Sequence, residues 1–360
     1  DYSLTDKLVG TLGLRYSNEE KEADVIYLRP RNECSVVGGT CSPDGTNALI
    51  SLITGGLAQE PNGFSDGNEW SNWTPKVGLQ YFFNDDLQAY GHYTKGFRSG
   101  GYNFRITNAN AFEAIALAPG GSFSFGEEKV DNYEIGGKFQ TADGAFTLNA
   151  AVYRTEIKNM QREVNQSSAA SGVAQSIFNT ADASIMGAEA EARMRVSPSL
   201  IITANIGIID DSYDEILFDI SGDGVIDQTD LDLRLPRVPE VTWGMGFIHE
   251  LLLGDSEILT RVNYQYRDEF AYTDNNFGWV QDVSNLEANI TWNTPTDGLS
   301  FSVYGKNLLD EVQVGGDTQV PFGGPLSNGV NRPFDAYPAA GTFSPLSKGR
   351  QLGLEAVYEF

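Results

Sequence analysis

Along this chain apolar and polar residues alternate one by one in stretches of about ten, each ending in turn-forming residues, as in strands that show one face to lipid and the other to water. The alternation is cleanest at the C-terminus. In QLGLEAVYEF, residues 351–360, Leu352, Leu354, Ala356, Tyr358 and Phe360 fall on one face, and Gln351, Gly353, Glu355 and Glu359 on the other. KVGLQYFF sets Val77, Leu79, Tyr81 and Phe83 against Lys76, Gly78 and Gln80, and NYEIGGKFQ sets Tyr133, Ile135 and Phe139 against Glu134, Lys138 and Gln140. IMGAEAEARMRV separates Met186, Ala188, Ala190, Ala192 and Met194 from Glu189, Glu191, Arg193 and Arg195. A soluble sandwich also contains strands of this kind, burying the first face and wetting the second. Repetition decides between the two: further segments lie near 7–16, 87–96, 145–155, 200–209, 241–250, 258–267, 286–293 and 299–308, for about twelve strands. Each is long enough to cross a bilayer when tilted, and longer than the roughly five or six residues usual in soluble sheets.

Connections alternate between short and long. The short ones are FNDD at 83–86, TADG at 141–144, VSPS at 196–199, LGDS at 253–256 and PTDG at 295–298. Between them run polar, Gly-rich segments of roughly fifteen to fifty-five residues, the asymmetry of tight periplasmic turns and large extracellular loops. With Phe360 on the periplasmic side, every short turn falls in the periplasm and every long segment outside. Tyr2, Tyr81, Phe83, Phe139, Tyr358 and Phe360 then form part of a periplasmic aromatic girdle. The expected fold is all-β: a transmembrane antiparallel up-and-down β-barrel occupying residues 1–360, seated in outer-membrane lipid with its loops extracellular.

Composition narrows the function. No window approaches the ~18 consecutive apolar residues that a transmembrane helix needs. A net charge of -25, with only 24 Lys and Arg, argues against nucleic acid as a partner, while leaving cationic ligands and divalent metals open. The chain starts at Asp1 without a signal segment, which reads as mature, truncated or both. Cys34 and Cys41 lie in the Gly- and Pro-punctuated NECSVVGGTCSP, where an oxidising compartment would close a short disulfide loop. A zinc site there would lack nearby histidine, because the chain has only His92 and His249.

Four segments resemble the C-terminal barrel of TonB-dependent receptors: WTPKVGLQYFFNDDLQAYGHYTKGFRSGGYN at 73–103, EKVDNYEIGGKFQTADGAFTLNAAVYRTEIKNMQ at 128–161, VYGKNLLDE at 303–311 and GRQLGLEAVYEF at 349–360. The final Phe360 is similar to the terminal aromatic that barrel-assembly machinery recognises. The resemblance implies a barrel of about twenty-two strands, of which these are the last twelve, plugged by an N-terminal domain that lies outside this chain. It also implies a small-molecule substrate, and energy delivered by the inner-membrane TonB complex through a segment ahead of the plug. An open sheet of twelve strands would leave two unpaired edges in lipid, so it must close on itself or continue into further strands.

The most specific local motif runs from Asp219 to Asp230. It fits an EF-hand-type calcium loop, with Asp219, Ser221, Asp223, Asp227 and Asp230 at positions one, three, five, nine and twelve, the Val225 carbonyl at seven and Gly224 at six. Asp230 replaces the usual glutamate and shortens the reach. The competing reading is a solvated acidic loop. Enzymatic chemistry is not expected: neither histidine sits in a nucleophile or metal motif, and Glu189 and Glu191 read as lumen residues paired with arginines such as Arg193, Arg195 and Arg261. Ligand contacts are expected from loop aromatics, namely Tyr102, Phe104, Phe123, Phe125, Tyr272, Phe277, Trp279, Phe322 and Phe334, for each of which packing against a neighbouring loop is the competing reading. The only cations clustered near a loop base are Lys95, Arg98 and Arg105, so no charge pattern points to an anionic ferric siderophore. The leading functional expectation is energy-coupled uptake of a scarce solute such as an iron-siderophore complex, a cobalamin-like cofactor or a glycan. The alternatives are a passive porin or complete small barrel, and an outer-membrane enzyme or adhesin.

Overall fold

The alternating segments pair with their sequence neighbours into one antiparallel sheet. The computed structural model describes residues 1–26, 63–103, 124–168, 172–316, 318–320 and 341–360. Twelve long strands carry the architecture: β1 (Leu8–Ile26), β2 (Gly63–Phe82), β3 (Leu87–Arg98), β4 (Glu128–Gln140), β5 (Phe146–Ser168), β6 (Gly172–Ser197), β7 (Leu200–Ile216), β8 (Val241–Leu253), β9 (Ser256–Arg267), β10 (Val283–Asn293), β11 (Leu299–Lys306) and β12 (Gln351–Tyr358). A two-residue stub, Tyr2–Ser3, pairs with β1 and completes a 13-stranded sheet in strict sequence order. Among the described residues no pairing joins β12 to the stub or to β1.

Register confirms the two-faced reading. Leu354 pairs with Val303 and Glu355 with Ser302, while Ile206 lies between Ala190 and Trp243, and Asn205 between Glu191 and Gly244. The apolar face is open, with Leu12 at 80% and Leu354 at 82% exposure. That exposure would be untenable in water over so large a surface and is ordinary against lipid. At the turn end lie the ring pairs Tyr81–Phe83, at 4.9 Å, and Tyr358–Phe360, at 6.5 Å. The turn at Asn84 is closed by its own side chain, which accepts the Asp86 and Leu87 N–H groups at 2.9 and 2.8 Å.

Two observations depart from the sequence reading. The segment between 155 and 186, read as an extracellular connection, continues β5 and β6 as a hairpin paired out to Ser168 and Gly172. Above the membrane neither face meets lipid, so a strand there has no apolar alternation to reveal it. The lumen carboxylates also find other partners. Glu191 accepts a hydrogen bond from Asn149 Nδ2 at 2.6 Å, and no ion pair joins Glu189 or Glu191 to Arg193, Arg195 or Arg261 among the described residues. Pairing places Asn149 and Asn205 directly beside Glu191, whereas Arg193 lies one lumen position nearer the turn, beside Thr147 and Thr203.

On the lumen face a tyrosine repeatedly lies across the glycine paired with it: Tyr90 on Gly136, Tyr153 on Gly187 and Tyr304 on Gly353. A Cβ at Gly136 would meet Tyr90 Cζ at 2.5 Å, and moving that ring would disturb the hydrogen bond it donates to Glu134 at 2.8 Å. Gly136→Ala is therefore expected to destabilise the barrel by about 1–3 kcal/mol, the usual cost of overpacking. Gly137→Ala, whose new atom would find only an ordinary 3.6 Å contact, serves as the control. Denaturant titration of the two folded variants checks this.

Candidate functional site

The extracellular end holds the polar and aromatic groups that a solute would meet first. Near β3, Lys21 donates to Ser99 Oγ and to the Gly100 carbonyl, both at 2.7 Å, and lies over Trp70 at 5.5 Å from the ring centre. Tyr102 is buried, meets Trp70 edge-on, and accepts a hydrogen bond from Asn68 Nδ2 at 2.9 Å. Phe125 pairs with Gly101 and lies against it. Gln161 ties this region to β5 by donating to the Ser99 and Gly126 carbonyls at 3.0 and 2.8 Å. Asn103 exchanges two hydrogen bonds with the Ile177 backbone. Tyr102 and Phe125 thus pack the base of the rim.

The connection from Leu217 to Glu240 leans inward. Its Ile220 and Leu235 join a cluster with Met160, Ala181, Ala183 and Tyr213, and Ala183 and Tyr213 stand on the strand face that lower down carries Gly187 and Glu189. Leu235 donates its N–H to Asp211 at 2.8 Å, and Phe218 stacks on Phe178 at 4.6 Å. Apolar burial drives the fold-over, and the backbone bond to Asp211 fixes its position.

The acidic motif lies within this connection. Gly224, at φ +95°, supplies the left-handed turn required at position six. Asp219 accepts the Gly222 and Gly224 N–H groups at 2.7 and 2.8 Å, and Asp223 accepts that of Val225 at 2.9 Å. Asp227 caps the one-turn helix Gln228–Leu231, and Asp230, fully buried, accepts the N–H groups of Ile220, Ser221 and Asp227. The carboxylates are turned toward the backbone, and among the described residues no three His, Cys, Asp or Glu side chains converge as a metal cage.

The next connection, 268–282, locks onto this one. Arg234 and Asn276 exchange hydrogen bonds of 2.8 and 2.9 Å, and Arg237 donates its N–H to the Ala271 carbonyl at 2.6 Å. The Arg237 guanidinium lies 4.8 Å over Tyr272 and that of Arg234 5.9 Å over Trp279, both cation–π contacts. Phe277 is exposed. Asp274 reaches back to β5, its Oδ1 lying 3.4 Å from Arg162 Nε. Burial holds the Asp274 carboxyl above the usual carboxylate range, against the pull of Arg162 and Arg237.

Of the aromatic positions singled out in the sequence, Tyr272, Phe277 and Trp279 share one loop, and Tyr102 and Phe125 lie at the base of another. Phe104, Phe123, Phe322 and Phe334, like Cys34 and Cys41, lie outside the described residues. Sequence reading missed Arg162, Asp274 and Tyr213, which come together only through tertiary folding. His92 faces Glu134 at 3.8 Å in the lumen, while His249 shares the outer face with Phe247 and Leu251, so the histidines form no common site.

A wide, two-faced antiparallel sheet with tight turns at one end and interlocked polar loops at the other defines part of an outer-membrane β-barrel. Residues 1–308 match the family described as TonB dependent receptor-like, beta-barrel, and the chain belongs to that family. It is an outer-membrane receptor family and not an enzyme family. The chain is 25% identical over 232 residues to the pesticin receptor of Yersinia pestis, covering 64% of this chain and 30% of that protein. It is 33% identical over 118 residues to the pesticin receptor of Yersinia enterocolitica, covering 33% and 15%. The chain thus spans less than a third of the length of these relatives. In structure it is similar to the ferric yersiniabactin uptake receptor FyuA of Yersinia pestis, with TM-score 0.67 and 19% identity over 100% of this chain and 44% of that one. The siderophore receptor PiuA of Acinetobacter baumannii gives TM-score 0.64 and 16% identity over 99% and 41%. The copper transporter OprC matches at TM-score 0.56 and 13% identity, over 82% and 40%.

Proposed function

We propose that this chain is the C-terminal part of a receptor that takes up a scarce solute by TonB-coupled transport, an iron-siderophore complex being the favoured cargo. The observation that carries the reading is the inward-leaning pair of loops that brings Arg234 and Arg237, stacked on Trp279 and Tyr272, to the barrel mouth. Cationic groups on aromatic supports suit a flat, electron-rich chelate. The names of the ferric yersiniabactin and siderophore receptors support the same cargo class, and the copper transporter supports the wider class of metal uptake. In this reading further strands close the sheet, since edges left open in lipid would strand backbone N–H and C=O groups. A plug domain fills the lumen, and the inner-membrane TonB complex supplies energy through a segment beyond this chain.

Two smaller proposals accompany it. Calcium is proposed to bind at Asp219, Ser221, Asp223, Val225, Asp227 and Asp230, supported by the ligand spacing and the Gly224 turn. A disulfide is proposed between Cys34 and Cys41, which thiol labelling under non-reducing, denaturing conditions tests. For the transport reading, cells making the complete protein should accumulate radiolabelled ferric chelate only while energised, losing at least about tenfold on collapse of the proton gradient. Uptake that persists without energy would favour a passive porin.

A further inference from the structure

An ion pair drawn partly out of water is a net gain only when its geometry is good and its remaining hydrogen-bonding capacity is filled. The half-buried Arg162–Asp274 pair meets neither condition. Its atoms lie 3.4 Å apart, against about 2.7–2.9 Å for a charge-assisted hydrogen bond, and neither Arg162 Nε nor Asp274 Oδ1 has a hydrogen-bond partner among the described residues. Tyr213, 5% exposed, packs in the cluster that holds Met160, two residues before Arg162, and its hydroxyl is also unpartnered among the described residues. Arg237, held over Tyr272 on the facing loop, adds a second positive charge that acts on Asp274. Asp274 therefore satisfies Arg162 poorly, and the buried Tyr213 hydroxyl is left without an acceptor among the described residues.

The carboxylate and its partners differ in how they are held. Arg162 and Tyr213 project from long strands of the sheet, β5 and β7. Asp274 rides on the connection between the two-residue strands Phe270–Ala271 and Trp279–Val280, a short hairpin held by the fully buried Ala271 and Val280 and by Asn276 and Arg237. The strand-borne donors are thus fixed, and the acceptor is carried on a connection. An unoccupied guanidinium cluster would bind small inorganic anions, and an internal carboxylate excludes them.

From this geometry we propose that Asp274 is a built-in stand-in for ligand. It occupies an anion subsite formed by Arg162, Arg237 and Tyr213, from which the carboxylate or phenolate group of an anionic metal chelate displaces it. The inference rests on the uptake reading above and narrows its substrate class to anionic chelates. An incoming carboxylate can approach Arg162 in the two-pronged geometry that Asp274 does not reach, and can accept a hydrogen bond from the Tyr213 hydroxyl.

The test uses the complete protein in detergent, with ferric citrate as the anionic probe and ferrioxamine B, a cationic hydroxamate chelate, as the control. Asp274→Asn removes the competing charge while keeping the side-chain shape. It should tighten ferric citrate binding by about tenfold or more, leave ferrioxamine B unchanged, and lose the gain when Arg162→Gln is added. Equal ferric citrate affinity in wild type and Asp274→Asn, no binding by either, or an equal gain for both probes would overturn the proposal, the last because it reports only a loosened loop. The two readings fail separately. Energised uptake of a ferric chelate without tightening in Asp274→Asn removes this inference alone, and tightening without energised uptake removes the transport reading alone.

Discussion

Ile206→Arg is expected to destabilise the folded barrel by about 2–4 kcal/mol in phospholipid vesicles, the cost of a lipid-facing cation near the bilayer midplane. Asn205→Arg, one residue earlier, is expected to change stability by less than about 1 kcal/mol. The contrast follows from register. Ile206 stands on the exposed apolar face between Ala190 and Trp243, whereas Asn205 shares the lumen face with Glu191, which offers an added arginine a counter-charge. Depth also matters. Six steps from Leu200, at ~3.4 Å each and a tilt near 40°, place Ile206 roughly 15 Å above the periplasmic turn, close to the middle of a ~25 Å apolar band. Denaturant titrations in vesicles, read from the gel mobility of folded and unfolded protein, measure both variants. Equal losses at the two positions would mean that the assigned faces are wrong.

How much of this was legible in the sequence depends on the range of the interactions involved. Lipid demands one apolar face from each membrane strand, so β12 can be read from Leu352, Leu354 and Tyr358 alone, and all twelve strands announce themselves in this way. Where the strands leave the lipid the demand lapses, and the outer halves of β5 and β6 carry no alternating signal. The hairpin there is also irregular. Asn159, at φ 54°, marks a break on either side of Met160, so face cannot be counted by parity from Ile157 to Gln161. Arg162 was invisible as a site residue for that reason, and Asp274 because its ion-pair partner Arg162 lies more than a hundred positions away in sequence. The aromatic positions were found by residue type, which does not separate rim packing from exposure: Tyr102 is buried against Trp70, while Phe277 projects. The acidic motif was legible because all of its information is local, in the spacing of oxygen side chains around one glycine.

That motif carries the second large effect, an expected gain of order in the 217–240 connection when calcium is supplied. Four carboxylates within twelve residues repel one another, and a divalent cation turns the repulsion into affinity. The choice of substitution decides whether a test means anything. Asp230 is fully buried and accepts three backbone N–H groups, so removing it would unfold the loop with or without metal. Asp223 is exposed and accepts only the Val225 N–H, so Asp223→Ala leaves the loop's inner hydrogen bonds in place and removes one oxygen ligand. Wild-type protein is expected to bind calcium with a dissociation constant of ~10⁻⁴–10⁻³ M, the range of extracellular sites. Asp223→Ala should bind at least about tenfold more weakly. With millimolar calcium, amide exchange across 219–235 should slow in wild type and not in the variant, because a ligand that binds only the ordered loop stabilises it in proportion to the logarithm of its excess over the dissociation constant. Calorimetry that found equal calcium uptake by the two proteins would leave a solvated acidic loop as the better account, with Asp219 and Asp230 serving as backbone caps and nothing more.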